Sequence, residues 1–445
     1  MIRLCVCVSV VLASSICFAA PSADENILTL YQEAKQNNAA YLATQFAVEA
    51  ELENRNIALG QLLPSFSITG SYNRNETERT VSSVKDTFSY DSHAYTLNIR
   101  QPLYRKYNFS FFEQAKVQGD AAISRGLFAG NELAINLVIA FFDVQYSADQ
   151  HRLLQAQKSA VMEQFDAAKR ALAVGHGTRI DVDEAQARLE VLLAQEIELN
   201  NAGAHARRTL QVMVNRELGK LPLLDLARFQ PDISSGNGYK EWVELGEKNN
   251  PEYAALLSQV DVAKLEVEKS SAGHYPTLDF VASIGNSTND NVNSLNHSSD
   301  TSFRTNSYGI QFTIPLFSGG QVSATVRQSA AKFAQARLQA EEFRRNLVVK
   351  IRREYDSFVQ SGNKINALRS AELSAERVVQ STKKGISAGV RSTIDILQAE
   401  QQLFTVKRDL AQARYVHLIS RLRLKALVGE VERDDLEKIS ILMAK

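Results

Sequence analysis

Two aspartates, Asp181 and Asp395, stand in matching surroundings. Each follows a glycine-bearing turn, VGHGTRID or AGVRSTID, and precedes a long stretch of helical periodicity. A carboxylate there can accept from the free N–H groups of a starting helix and suits the positive end of its dipole. That is structural chemistry, and nothing nearby turns it into catalysis. The seven histidines (His93, His151, His176, His205, His274, His297, His417) are scattered without ligand spacing. No nucleophile elbow, phosphate loop or metalloprotease motif occurs, and Gly175-His176-Gly177 is a turn feature. All three cysteines (Cys5, Cys7, Cys17) fall in the first 19 residues, leaving the rest without disulfide or thiol chemistry. The sequence argues against an enzyme and calls for no metal and no cofactor. Its function must lie in how its elements are placed.

Residues 1–19 combine Arg3, an apolar run from Leu4 to Leu12, and small residues toward the end. They read as a secretory signal peptide cleaved after Ala19. A lipid anchor on Cys17 is the competing reading, and Ile16, where a small residue is wanted, argues against it. The 445 residues carry 50 basic and 50 acidic side chains, so no charge surplus points to a nucleic-acid partner. Beyond residue 20 no apolar run is expected to reach the length of a membrane-spanning helix.

The elements come in a repeated order. Helical periodicity from Glu25 to Leu62 breaks at NNAAY (Asn37 to Tyr41). After Pro64, Phe66, Ile68, Gly70 and Tyr72 alternate with polar residues, as Tyr95, Leu97 and Ile99 do before Pro102, with a polar loop expected between. Long helices follow over residues 104–215, broken at Val174 to Thr178, and residues 219–238 read as a linker. NNPEY at Asn249 then answers NNAAY at Asn37, 212 residues later, and Pro276 answers Pro64 at the same offset. Pro315 answers Pro102 after 213 residues, and Asp395 answers Asp181 after 214. Leu278, Phe280, Ala282 and Ile284, then Tyr308, Ile310, Phe312 and Ile314, form a second alternating pair. From Pro315 to Gly389 the chain reads as one long amphipathic helix, on the order of 100 Å at about 1.5 Å per residue. Such a helix needs a partner along its length. The expected division is 1–19, 20–236 with its hairpin at 64–104, and 237–445 with its hairpin at 276–317 and long helices over 317–427. So large a repeat is a duplication, not a solenoid.

Four strands with one apolar face cannot close a barrel, and open edges are not tolerated in lipid. Three chains would supply twelve strands, apolar side to lipid and Ser, Thr, Asn and Gln to a water-filled lumen. A soluble β-sandwich layer against helices, or a plain coiled coil, would use the same patterns in a blander way.

At this point the residues resemble the TolC family of outer-membrane channel proteins over essentially the whole chain beyond the signal. The resemblance rests on the duplicated order, the proline-bounded hairpins (Pro64/Pro102, Pro276/Pro315) and the turn motifs VGHGTRIDVDEAQARL and AGVRSTIDILQAEQQL. It extends to DLAQARYVHLISRLRLKALVG from Asp409 to Gly429. It implies a mainly α protein with membrane β: a homotrimeric twelve-stranded barrel in outer-membrane lipid, continued into a long helical periplasmic tunnel. It also implies an equatorial collar, assigned to residues 205–250 and 428–445. Such proteins are passive exit ducts for efflux or type I secretion, docking to a periplasmic adaptor and an inner-membrane pump or ABC transporter. Asp181 matches the family aspartate that pairs with an arginine in the closed tunnel, and Arg391 matches that arginine. Asp395 matches the first of two ring aspartates. Gln398 stands where some members carry the second, and Ile386 replaces a tyrosine that makes another closing link. The rival reading, a periplasmic adaptor, would show one helical hairpin within β-rich domains, whereas this chain has two below strand pairs.

Overall fold

The computed structural model describes residues 25–219, 238–294, 297–429 and 433–441, with positions 221, 222, 224, 229, 231 and 431 between them. The signal segment, the cysteines and parts of the linker and collar lie outside the described residues.

Helices α1 (Ile27–Asn37) and α2 (Ala39–Gly60) lead into strands β1 (Ser65–Val81) and β2 (Val84–Arg105), then the long helices α3 (Lys106–Ala173) and α4 (Arg179–Val214). The order then recurs with α5 (Tyr239–Asn249), α6 (Pro251–Ser271), β3 (Thr277–Ser294), β4 (His297–Thr313), α7 (Gln321–Ser387) and α8 (Thr393–Leu427), before a short α9 (Arg433–Ile441). The duplication reaches single side chains. Asn38 caps α2 by accepting from Tyr41 N at 3.0 Å, and its amide donates to Met213 O at the end of α4. Asn250 caps α6 by accepting from Tyr253 N at 2.8 Å and donates to Leu427 O at the end of α8. One asparagine per half thus satisfies a free N–H at one helix start and a free carbonyl at another helix end.

The strands form one antiparallel sheet, β1-β2-β3-β4, with β2 pairing β3 across the two halves and β1 and β4 at the edges. Three expectations need correction here. Residues 73–92 are not a loop, since β1 and β2 stay in register to Val81↔Val84 around Ser82 and Ser83. Both serines take positive φ, 47° and 68°, the pattern of a two-residue hairpin turn. Polar side chains on both faces erase the period-two signal there, while backbone pairing continues. Pro102 does not end β2, because a register shift between Pro102 and Tyr104 carries the strand to Arg105. The long helix of the second half begins at Gln321, not Pro315, because Gly319 and Gly320 take φ of 60° and 80°.

Helices pack as α3 on α4 and α7 on α8, with α3 also against α2, α6 and α8. The main core joins α1, α3, α4, α8 and α9, where Ile27, Leu30, Leu137, Phe141 and Leu210 are fully buried. A second core repeats it beneath α5, with Trp242, Leu347, Ile351 and Leu424. Contrary to expectation, α3 is apolar and long enough by length and composition to cross a membrane. Within it Leu133, Leu137, Val138, Ala140, Phe141 and Phe142 are instead committed to the main core.

Gly429 makes a stability prediction. It has φ of +75°, and a Cβ there would meet Asn249 O at 2.5 Å. Gly389 is also left-handed, at +74°, but faces open space. Gly389→Ala is therefore expected to cost about 1–2 kcal/mol of backbone strain, and Gly429→Ala clearly more. Thermal unfolding of both variants in detergent checks the order; equal midpoints would show that the Asn249 contact relaxes freely.

Candidate channel gate

At the far end of the long helices from the sheet, each pair closes in the same turn. Helix α3 ends with His176 N donating to Ala171 O and Gly175 N to Leu172 O. Helix α7 ends with Val390 N donating to Gly385 O and Gly389 N to Ile386 O. These paired bonds need the left-handed residue that Gly175 (φ 79°) and Gly389 (φ 74°) provide. The chain then re-enters a helix through a capping box. Asp181 N donates to Thr178 Oγ1 at 3.2 Å while Thr178 N donates to Asp181 Oδ2 at 3.0 Å. In the second half Asp395 N donates to Ser392 Oγ at 3.3 Å and Ser392 N to Asp395 Oδ2 at 2.9 Å. The helix-cap reading of both aspartates is thus realised in the geometry. It leaves Asp181 Oδ1 and Asp395 Oδ1 outside the reciprocal backbone bonds.

Within one chain Arg391 turns to Asp395, with Nη1 3.9 Å from Oδ1. Its stem lies over Gly385, where a Cβ would stand 2.6 Å from Arg391 Cγ. Among the described residues no Asp181–Arg391 pair forms inside the chain. Gln398 is exposed one turn beyond Asp395, and the half-buried Ile386 packs on Val379, Ile396 and Leu403. The amide bond from Ser392 and the nearby Arg391 guanidinium hold the Asp395 carboxyl below its ordinary range.

At this end a buried charged residue, Glu400, is not signalled by the turn motifs. Glu400 is 3% exposed, with Lys383 Nζ 3.2 Å from Oε1, and burial raises its carboxyl. Its signal was available: it interrupts the buried stripe Ile396, Leu397, Leu403 at helical spacing. Arg179 and Asp183 form a further exposed pair at 3.0 Å in the first half's turn. No three acidic, histidine or cysteine side chains among the described residues gather to hold a metal ion. The Thr178 hydroxyl donates to Asp181 Oδ2 at 2.6 Å as part of the helix cap, and what the arrangement offers is charge at the mouth of a helical tube.

At the other end, the outward side of the sheet carries Ile68 (77% exposed), Tyr308 (84%) and Phe312 (62%) beside Phe66, Tyr95 and Ile310. An exposed apolar band of this size suits lipid.

The outer membrane efflux protein family model matches residues 30–216 and again 242–430. The alkaline protease secretion protein AprF of Pseudomonas aeruginosa is 33% identical over 421 residues, 93% of this chain and 86% of that protein. The proteases secretion protein PrtF of Dickeya chrysanthemi is 29% identical, covering 93% of this chain and 90% of its own. The outer membrane protein TolC of Escherichia coli is 26% identical, covering 96% and 87%. Among solved structures, the outer membrane channel CmeC of Campylobacter jejuni superposes with a TM-score of 0.79 at 17% identity, covering 95% of this chain and 90% of that one. The outer membrane protein VceC of Vibrio cholerae gives 0.78 at 18%, covering 91% and 96%. The fold is that of these channels, four strands per chain toward a twelve-stranded barrel above a helical tunnel. The periplasmic-adaptor reading finds no support. With both halves matched, the chain belongs to the outer membrane efflux protein family and is an outer-membrane exit duct reaching into the periplasm, a passive conduit and not an enzyme.

Proposed function

We propose that this duct serves protein export, with three copies docking to a periplasmic adaptor and an inner-membrane ABC transporter. The observation that carries the reading is the 33% identity, over 93% of the chain, to a protein named for alkaline protease secretion. A second protease-secretion relative at 29% points the same way. Deleting the gene should remove one or a few polypeptides from the culture supernatant and leave them inside the cell. If the secreted proteins stay unchanged while the cells become drug-sensitive, the duct serves small-molecule efflux instead.

In this reading 20–236 and 237–445 are two like halves, and α5, α9 and their flanks within 205–250 and 428–445 form the belt around the helices. The turns form the gate. Asp181 of one copy pairs with Arg391 of the next, while Asp395 rings the axis with the neutral Gln398 one turn behind. An exposed ion pair is worth about 1 kcal/mol or less. Three such links hold the tip shut only weakly, which suits a gate that a docked adaptor must open. Arg391→Ser is expected to raise single-channel conductance in planar bilayers several-fold. An intact trimer with unaltered conductance would show that the pair is not a latch.

A further inference from the structure

The base of the barrel holds a charge cluster on the side opposite the apolar band. Asp279 on β3 is 2% exposed and lies between two arginines of β2. Arg100 Nη2 donates to its Oδ2 at 2.8 Å; Arg105 donates from Nε to Oδ1 at 2.7 Å and from Nη2 to Oδ2 at 2.6 Å. The register shift at Pro102/Tyr104 makes this possible, because it lets two arginines five positions apart converge on one carboxylate. Asp279 alternates with Leu278 and Phe280, so the cluster faces the lumen.

Two guanidiniums against one carboxylate leave one positive charge per chain. Arg105 occupies both carboxylate oxygens, while Arg100, with 51% of its side chain exposed, spends only one nitrogen on Asp279. The lumen side of the strands above is neutral through Thr69, Asn98, Ser283, Ser307 and Gln311. Higher still, Arg79 and Asp86 lie 3.7 Å apart and cancel. Among the described residues of the barrel interior, Arg100 therefore carries the unbalanced charge, and a threefold barrel repeats it around the axis.

We propose that Arg100 makes the barrel base a basic girdle that attracts anions, with Asp279 and Arg105 as the residues that position it. The ligand class is a small inorganic anion or an acidic segment of a passing chain. Charged rings of one sign set which ions a pore favours. The girdle lines a wide lumen, so its reach depends on screening, about 8 Å at physiological salt and about 30 Å at 0.01 M. The preference is confined to the wall at high salt and fills the pore at low salt.

The inference rests on the duct reading but not on the proposed gate, and its test is built to keep them apart. Reversal potentials are measured for the full-length trimer in planar bilayers across a potassium chloride gradient, the dilute side near 10 mM. All variants share an Asp395→Asn background, so any change at the tip is common to them. Adding Arg100→Gln is expected to lower the chloride-over-potassium permeability ratio by about two-fold or more, and raising both salts should erase the difference. Arg100→Lys keeps the charge without the fork and should retain the ratio. Equal ratios for Arg100 and Arg100→Gln would overturn the proposal. So would an Arg100→Lys channel that behaves like Arg100→Gln, since geometry and not charge would then matter. Failure of the gate reading would appear in cation block from the periplasmic side, which this comparison does not use.

Discussion

Asp395→Asn is expected to abolish block by multivalent cations added from the periplasmic side, a change of at least tenfold in blocking concentration. The carboxylate is fixed at the first turn of α8 by its reciprocal bonds with Ser392. Threefold symmetry would place three copies of this rigid group about the axis, where a multivalent cation can sit between them. Their mutual repulsion pushes the apparent pKa of the set upward, whereas the capping bond and Arg391 push each one down. Because the capping bonds and Arg391 favour the charged form, block should persist at neutral pH and be lost only as the medium becomes acidic enough to protonate the carboxylates. Gln398 adds no charge, so Gln398→Asp should tighten block by supplying a second ring. The conserved shape of asparagine retains the cap's oxygen, which keeps the turn folded while removing the charge. Block that survives Asp395→Asn unaltered would move the constriction elsewhere and leave Asp395 a helix cap alone.

Phe141→Ala is expected to destabilise the protein by about 3–5 kcal/mol, the range for emptying a large aromatic site in a packed core. Phe141 is fully buried at the centre of the main core, against Phe142, whose ring centroid is 5.6 Å from that of Tyr415 on α8. The Tyr415 hydroxyl donates in turn to Asp149 Oδ2 at 2.9 Å, tying α8 back to α3. Burial raises the Asp149 carboxyl, and the Tyr415 bond partly offsets that cost. A cavity at Phe141 thus loosens the place where α1, α3, α4 and α8 meet. Thermal unfolding in detergent should show a large drop in midpoint; a shift of under about 1 kcal/mol equivalent would mean the site collapses onto the gap.

Much of this architecture was legible because the chain states it twice. The asparagine joints, the glycine turns and the apolar alternation of the strands each recur at nearly one offset, so a weak signal in one half is read against its partner. What stayed hidden has physical reasons. Residues 73–92 lack an apolar face, so pairing that rests on backbone bonds leaves no period to detect. The Gly319-Gly320 pair is itself a turn signal that the helical reading from Pro315 runs over, and its left-handed residues set where α7 begins. Asp279 drew no notice among its apolar neighbours, because its two arginines are 174 and 179 residues away in the chain. Glu400 was passed over in a buried stripe for the same reason: its partner Lys383 is on another helix.

The length of the hairpins has a consequence for the outside of the cell. On β1 the apolar band ends at Tyr72, and residues 73–81 continue for about 30 Å at roughly 3.3 Å per residue. The stretch lies beyond the apolar band and pairs with β2 along its backbone, with the surface pairs Glu78–Lys85 and Arg79–Asp86 across the strands. Substitutions there should leave insertion and export unharmed. Projecting beyond the apolar band, this hairpin would face the outside of the cell and is free to change its appearance. Among natural variants, residues 73–81 should differ far more often than 65–72; equal variation would mean the protruding hairpin is held by a constraint of its own.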